Sequence, residues 1–210
     1  MEEFDKKLYK YFPNTNIEAI EIFHRMMNIY EKWNQKINLI SRKDVCHLYE
    51  RHVLHSLMIH AVLKLKKGNS VVDVGSGGGF PGIPLAILHP DVKFFLVDSI
   101  KKKSFAVQEI ANELGLKNII VCNERMESIN QKFDYVIGRA VTNLHDFINL
   151  VSKNQKKSSG DAEGGIYYLS GDTSTESISR EGFRVDKIAC SNFFEEEFFS
   201  EKYLYIVKEV

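Results

Sequence analysis

From residue 70 onward, short apolar runs alternate with longer segments of helical length. The runs lie at 71–74, 92–97, 119–122, 133–137, 166–169 and 203–207. Regular alternation of strand and helix predicts a parallel sheet, and uninterrupted apolar runs indicate strands that helices cover on both faces. The pattern therefore predicts an α/β fold with a doubly wound, mostly parallel sheet.

The residues that precede this sheet predict a helical N-terminal extension. In a segment that Thr15 or Asn16 would cap, apolar residues recur at steps of three and four: Ile20, Phe23, Met27 and Tyr30. A second helix is predicted at about residues 43–63. We expect a helical segment at 1–66, packed on a core at 67–210, to form one compact domain.

Composition and charge narrow the function classes. The 210 residues include 28 basic and 28 acidic ones, so the formal net charge is zero. A nucleic-acid partner would therefore have to bind a local patch of basic residues. The three cysteines, Cys46, Cys122 and Cys190, lack the paired spacing of a metal site or a disulfide framework. Neither a signal-peptide pattern nor a membrane-length apolar run is present. We expect a cytoplasmic monomer with no metal and no membrane partner.

A glycine-rich turn follows the first predicted strand. Asp73 lies near the end of the strand, and Gly75, Gly77 and Gly79 follow at alternate positions. Glycines let the backbone approach a ligand closely. Gly77, Gly79 and Gly82 also fit the dinucleotide fingerprint, so a nicotinamide or flavin cofactor is an alternative. Asp73 would repel a pyrophosphate but suits the amino group of a methionine, which favours S-adenosylmethionine.

Residues further along the chain refine this interpretation. Asp98 ends the second predicted strand, where either cofactor would present its ribose, although a cap for the helix that begins at Lys101 is an alternative. The fourth strand ends in Gly138-Arg139-Ala140, without the Asp/Asn-Pro-Pro-aromatic motif that grips exocyclic amines. Neither Cys122 nor Cys190 has the context of a nucleophile that attacks cytosine. Guanine N7 needs no general base, and Arg139 would supply a cation for O6.

Together these segments resemble the RsmG, or glucose-inhibited division protein B, family of rRNA guanine-N7 methyltransferases. The resemblance covers roughly residues 30–169 and is carried by Trp33-Asn34, 37–40, 51–57, 73–84, Asp98-Ser99 and 138–140. It implies a class I, Rossmann-like methyltransferase that uses S-adenosylmethionine. The implied substrate is a guanine in the decoding-region loop of 16S rRNA, as naked rRNA or in the small ribosomal subunit.

Sequence and resemblance together single out a set of site residues. Those expected to contact the cofactor are Asp73, Gly75, Gly77, Gly79, Phe80, Asp98, Ser99, Met126, Glu127 and Arg139. Those expected to shape the base pocket and carry catalysis are Asn38, His52 and Arg139. No residue is assigned to proton abstraction.

Two positions depart from the family pattern, which usually has Asp at His55 and Lys at Ser170. Both lie in motifs expected to face the RNA or the site of transfer, so an RNA-binding relative that retains the cofactor without turnover is a further alternative. We expect lysines of a polar loop to replace the missing charge: Lys153, Lys156 and Lys157. Further basic candidates for RNA contact are Arg42, Lys43, Arg51, His52, Lys64, Lys66, Lys67 and 101–103.

Overall fold

The computed structural model describes residues 2–156, 164–171 and 182–209, so Lys157 and most of the predicted polar loop lie outside the described residues. Its α-helices are α1 (Glu2–Tyr11), α2 (Ile17–Asn34), α3 (His55–Val62), α4 (Gly82–Leu88), α5 (Lys101–Leu114) and α6 (Leu144–Val151). Its strands are β1 (Ser70–Val74), β2 (Lys93–Val97), β3 (Ile119–Cys122), β4 (Tyr135–Arg139), β5 (Gly165–Ser170), β6 (Phe183–Ala189) and β7 (Tyr203–Glu209).

These strands form a single sheet in the order β3-β2-β1-β4-β5-β7-β6. Strands β1 to β5 pair in parallel, whereas β7 pairs antiparallel with both β5 and β6. The strand order reverses between β1 and β4, and open α/β sheets bind ligands in the crevice at such a reversal. The predicted mostly parallel, doubly wound sheet is confirmed.

Burial on both faces of the sheet explains why the apolar runs are uninterrupted. Consecutive side chains of a strand point to opposite faces, and Val71 and Val72 are both fully buried but lie in different apolar clusters. The cluster with Val71 also contains Phe23 and Leu57. The N-terminal helices therefore share one core with the sheet.

The N-terminal segment differs from its prediction in two respects. Asn16 caps α2 as predicted, and its side-chain oxygen accepts a 2.8 Å bond from the Ala19 amide. However, α1 lies within the helical segment expected at 1–66 but was not predicted as a separate helix, and the helix expected at about 43–63 is α-helical only from His55. Before α3 the chain forms a 3₁₀ turn at Val45–His47 and a π-helical turn at Leu48–Leu54. Wide π turns often occur at functional sites, and this one contains part of the site described below.

Strand β6 was also missed, because it lies at the edge of the sheet and its residues show no clear alternation of buried and exposed positions. Its sequence is interrupted by charged residues, which edge strands commonly carry. The antiparallel β6–β7 pair therefore completes a sheet whose parallel part alone was evident from the apolar runs.

Asn34 at the end of α2 fixes the loop that lies over the glycine turn. Its side-chain oxygen accepts bonds from the amides of Leu39 (2.8 Å) and Ile40 (3.0 Å), and all three residues are buried. The Leu39 carbonyl oxygen lies 3.0 Å from the place that a Cβ on Gly78 would occupy. The loop and the turn are therefore in close contact.

We predict that Asn34→Ala lowers the free energy of unfolding by about 1–3 kcal/mol, because two buried amides lose their acceptor. Urea denaturation measures the change. Gln35→Ala, at the exposed neighbouring position, is the matched control and should change stability by less than about 0.5 kcal/mol. Equal effects of the two substitutions would contradict this role of Asn34.

Candidate functional site

The glycine turn lies at the carboxyl end of β1, beside the reversal of strand order. Gly75, Gly77 and Gly79 have φ angles of +68°, +56° and +88°. At Gly75 a Cβ would also come within 2.8 Å of Val141 Cγ2, so this position requires glycine for both conformation and space. The alternate glycines that the sequence showed are thus explained by left-handed backbone.

Asp73 lies directly beneath this turn and is fully buried. Its Oδ2 accepts a 2.8 Å bond from the Gly82 amide at the start of α4, whereas its Oδ1 has no partner among the described residues. Burial raises the pKa of Asp73 to about 7, although the Gly82 amide and Arg139 oppose that shift. The orphaned oxygen is therefore a place where a hydrogen-bond donor or a cation would be stabilised.

Asp98 connects the turn to the start of α5. Its Oδ2 accepts a bond from the Gly77 amide (2.9 Å), and its Oδ1 accepts one from the Ile100 amide (2.8 Å). Ile100 is the N-cap residue of α5, which has no side-chain cap bond, so Asp98 does not cap this helix as the alternative supposed. Instead the carboxylate links the glycine turn to the residue that precedes α5. Ser99 is exposed beside it. Contact of either residue with a ligand stays a prediction.

Arg139, at the end of β4, joins three parts of the chain. Its Nη2 lies 2.9 Å from His52 Nδ1, and its Nη1 donates a 3.2 Å bond to the Arg51 carbonyl oxygen in the π-helical turn. Its Cζ lies 5.3 Å from the centroid of the Phe80 ring, which contacts the His52 ring at 5.1 Å. Residues 52, 80 and 139, predicted from three separate motifs, are therefore in direct contact.

This cluster has a defined protonation state. Burial, with the nearby Arg139 cation, lowers the pKa of His52 to about 3, so its ring is neutral. Burial lowers the pKa of Arg139 to about 10 against the attraction of Asp73, so the guanidinium stays charged at neutral pH. Because a guanidinium can only donate, His52 Nδ1 is the acceptor and the ring proton is on Nε2. That nitrogen has no partner among the described residues.

Three other predicted residues lie outside this cluster. Asn38 is exposed in the loop over the glycine turn. The Met126 side chain is buried in the apolar cluster that also contains Val97. Glu127 is exposed, and its carbonyl oxygen accepts a bond from Lys153. Their roles toward a ligand stay predictions.

His55 does not face the solvent, and the expectation that its motif faces the RNA or the site of transfer stays a prediction. Its side chain is 5% exposed, and its ring contacts those of Phe198 and Phe199 edge-on, at centroid distances of 5.6 and 6.0 Å. Burial lowers the pKa of His55 well below its ordinary value, and the Arg139 and Lys202 cations add to this shift. The imidazole is therefore a neutral packing residue beneath an aromatic surface.

The structure also contradicts the expected compensation for Ser170 by Lys156. The Lys156 ammonium lies 2.8 Å from Asp134, which also binds the Ser70 amide where β1 begins. This is the amino edge of the sheet, opposite Arg139 and Ser170. Lys64, Lys66 and Lys67 also lie before β1 and so toward that edge. The described ammonium nearest position 171 is that of Lys202, 3.3 Å from where a Cβ on Gly171 would lie.

Sequence reasoning missed two tyrosines that shape the site. The Tyr30 hydroxyl donates a 2.7 Å bond to the Gly78 carbonyl oxygen, although the sequence marked this residue only by its helical spacing. The Tyr168 hydroxyl accepts bonds from the amides of Val141 (2.8 Å) and Thr142 (3.0 Å). This holds Val141 over Gly75. No sequence signal indicates the second interaction, because it joins β5 to a loop that follows β4.

The strand order, the glycine turn at its reversal and the acid at the end of β2 define a class I methyltransferase fold. A mutant of MtNAS solved in complex with S-adenosylmethionine superposes with a TM-score of 0.60 at 15% identity, covering 91% of this chain and 76% of that one. At this identity the likeness concerns the fold.

Sequence comparison identifies the family. The family model "GidB: rRNA small subunit methyltransferase G" matches residues 18–194. The ribosomal RNA small subunit methyltransferase G of Bacteroides thetaiotaomicron is 45% identical over 197 residues, 93% of this chain and 95% of that protein. The protein of the same name from Flavobacterium johnsoniae is 43% identical over 93% of this chain and 94% of its own length. The chain belongs to the rRNA small subunit methyltransferase G family.

Family membership confirms the resemblance inferred from the motifs and sets aside a nicotinamide-dependent oxidoreductase. Across the described ranges, no helix is both long and apolar enough to cross a membrane. In the same ranges, no three His, Cys, Asp or Glu side chains are grouped so that they could hold a metal ion.

The raised pKa of Asp73 predicts a specific pH dependence of stability. Because the folded state holds this proton more tightly than the unfolded chain, the stabilisation is complete below pH ~4 and is lost as the pH rises through ~7. Asp73→Asn keeps the shape and cannot ionise. We expect the variant to gain stability relative to the parent between pH 4 and 8, by on the order of 4 kcal/mol.

Urea denaturation of the ligand-free protein at several pH values measures this gain. Asp134→Asn is the control, because Lys156 and the Ser70 side chain and amide lower the pKa of Asp134 against the effect of its burial. The contribution of Asp134 is lost only as the pH falls, so its variant should show no relative gain above pH ~5. Parallel pH profiles for Asp73→Asn and the parent protein would contradict the raised pKa.

Proposed function

We propose that this chain transfers the methyl group of S-adenosylmethionine to guanine N7 in the decoding-region loop of 16S rRNA. The observation that carries the proposal is the Arg139 guanidinium, held by a neutral His52 beside the glycine turn. The cofactor supplies an electrophilic methyl group on a sulfonium centre. The protein has to bind the cofactor, align the acceptor nitrogen and exclude competing nucleophiles.

The residues around the glycine turn fit this cofactor. Asp73 Oδ1 is buried without a partner in the described residues, and the ammonium of a methionine moiety would donate the missing hydrogen bond to it. That cation would also lower the pKa of Asp73. Gly75 would let the backbone approach the ligand, and we propose that Asp98 and Ser99, at the end of β2, bind ribose hydroxyls. Met126 and Glu127, which follow β3, are proposed to border the adenine.

The cluster around Arg139 fits an acceptor that needs no deprotonation. His52 is a poor base, because its pKa is about 3 and the guanidinium occupies its Nδ1. Guanine N7 already presents a lone pair, and its neighbouring O6 accepts hydrogen bonds. The remaining N–H groups of Arg139 and the Nε2–H of His52 are donors suited to O6. We propose that Asn38, on the exposed loop, completes this base pocket.

The relatives named above act, by their names, on small-subunit ribosomal RNA. We propose 16S rRNA, free or in the small subunit, as the partner of a monomeric enzyme in the cytoplasm. Cations near the carboxyl edge of the sheet would face it: the exposed Arg42, Lys43, Lys101 and Lys102, and the half-buried Lys103. Mass mapping of 16S rRNA from cells with and without the gene tests turnover directly. An unchanged modification pattern would favour the relative that binds without turnover.

For the cofactor site, we predict that Gly75→Ala weakens S-adenosylhomocysteine binding by on the order of tenfold or more, because the new Cβ meets Val141 and disfavours the left-handed backbone. Titration calorimetry measures the affinity. Gly115→Ala is the matched control, since Gly115 has a φ of +78° with no atom within 4 Å of the added Cβ. Removing the clash with Val141→Ala should recover part of the loss. A folded Gly75→Ala protein with parental affinity would exclude the turn from the site.

For the base pocket, we predict that Arg139→Ala lowers kcat by about 10²–10³-fold while changing RNA affinity by less than about threefold, because aimed donors matter most as charge develops during transfer. Single-turnover methylation and RNA binding are measured on the same preparation, with S-adenosylhomocysteine affinity as a check on the cofactor site. Arg42→Ala, at an exposed position, should alter RNA binding without this loss of kcat. Proportional losses of rate and RNA affinity would reassign Arg139 to a phosphate contact.

A further inference from the structure

An aromatic side chain with two cations lies next to the proposed base pocket. The half-buried ring of Phe198 has Arg51 Cζ at 5.6 Å and Lys202 Nζ at 5.2 Å from its centroid. Cations at these distances from an aromatic ring are attracted by its electron density. The ring rests on His55 and Phe199. Phe198 therefore holds a guanidinium and an ammonium at one place on the surface.

This patch is continuous with the site. The carbonyl oxygen of Arg51 accepts a bond from Arg139, while the Arg51 side chain reaches Phe198. On the other side, Lys202 Nζ lies next to Gly171, just beyond the end of β5. Strand β5 pairs with β4 so that Leu169 is opposite Arg139. Lys202 is thus brought to the same edge of the sheet as the base pocket.

The charge of Lys202 is uncompensated in the described part of the chain. Arg51 pairs with Asp44 at 2.6 Å, but the described ion pairs include none to Lys202. Two carboxylates of the acidic run before Phe198 are directed elsewhere, because Glu195 pairs with Lys10 and Glu196 pairs with Lys7 in α1. Two carboxylates that could neutralise the patch are therefore held by the N-terminal helix.

We infer that Lys202, held on the ring of Phe198, is a positioning residue that binds a backbone phosphate of the substrate RNA beside the target guanine. The inference rests on the proposed function for the identity of the RNA. An ammonium is a compact charge that suits a phosphate, and a partly exposed side chain with no ion pair among the described residues has no carboxylate to give up on binding. RNA is favoured because the patch adjoins a pocket whose donors fit a guanine.

Lys202→Met tests the inference, because it keeps the length of the side chain and removes the charge. The apparent KM for a 16S rRNA fragment should rise roughly tenfold, and its logarithmic salt dependence should become shallower by about 0.7–0.9, the value for one lost phosphate contact. The kcat, the affinity for S-adenosylhomocysteine and the free energy of unfolding should not change. Lys202→Arg should retain most of the parental affinity.

Two further variants sharpen the comparison. Lys208→Met removes a charge at an exposed position near the far end of β7, the strand that follows Lys202, and should leave both KM and salt dependence at the parental values. Glu201→Gln removes a negative charge beside Lys202 and should lower KM. If Lys202→Met matches Lys208→Met in KM and in salt dependence, the inference is overturned.

Direct binding of the RNA fragment separates this inference from the proposed function. If the parent protein binds RNA with a Lys202-dependent salt response but does not methylate it, the proposed function fails and the phosphate contact stands. If it methylates the RNA and Lys202→Met leaves binding unchanged, only the inference fails. A parent protein that neither binds nor methylates the fragment would overturn both.

Discussion

The site depends on one interaction, the contact of the Arg139 guanidinium with His52 and with the carbonyl oxygen of Arg51. Removing a cation from water costs several kcal/mol unless hydrogen bonds and opposite charge offset the loss. A neutral imidazole nitrogen, a backbone carbonyl and the face of Phe80 provide these contacts. Because they come from the π-helical turn and the glycine turn, the guanidinium joins the N-terminal segment to both central strands.

Arg139 and Asp73 are also coupled through their protonation. Burial shifts both toward their neutral forms, with pKa values of about 10 and about 7, and each opposes the shift of the other. No direct hydrogen bond between them is needed for this effect, since Coulomb attraction extends further where water is excluded. Binding of a cationic ligand group at Asp73 would therefore change the electrostatic potential at Arg139. The proposed cofactor site and the proposed base pocket are therefore connected electrostatically as well as by the glycine turn.

The C-terminal region explains how the departures from the family pattern fit into this site. His55 is buried beneath Phe198 and Phe199, and its imidazole packs against their aromatic rings. Beside Ser170, the described ammonium is that of Lys202, which reaches the edge of the sheet because β7 runs antiparallel to β5. Helix α1 keeps two nearby carboxylates away from Lys202, because Lys7 pairs with Glu196 and Lys10 pairs with Glu195.

The sequence by itself determined the parallel core, the glycine turn and most of the residues that meet there. Apolar runs report strands buried on two faces, and glycines at 75, 77 and 79 report left-handed backbone; both are local consequences of sterics and burial. Only the tertiary structure decided that His52 is neutral and faces Arg139 and that Tyr168 positions Val141. It also decided that Lys156 lies at the amino edge of the sheet, away from Ser170. Strand β6, the bounds of helix α1 and the π-helical turn also escaped prediction, because pairing at a sheet edge and packing against distant residues stabilise them. Side-chain partners and pKa values depend on which segments the fold brings together, and such contacts leave no periodic signal along the chain.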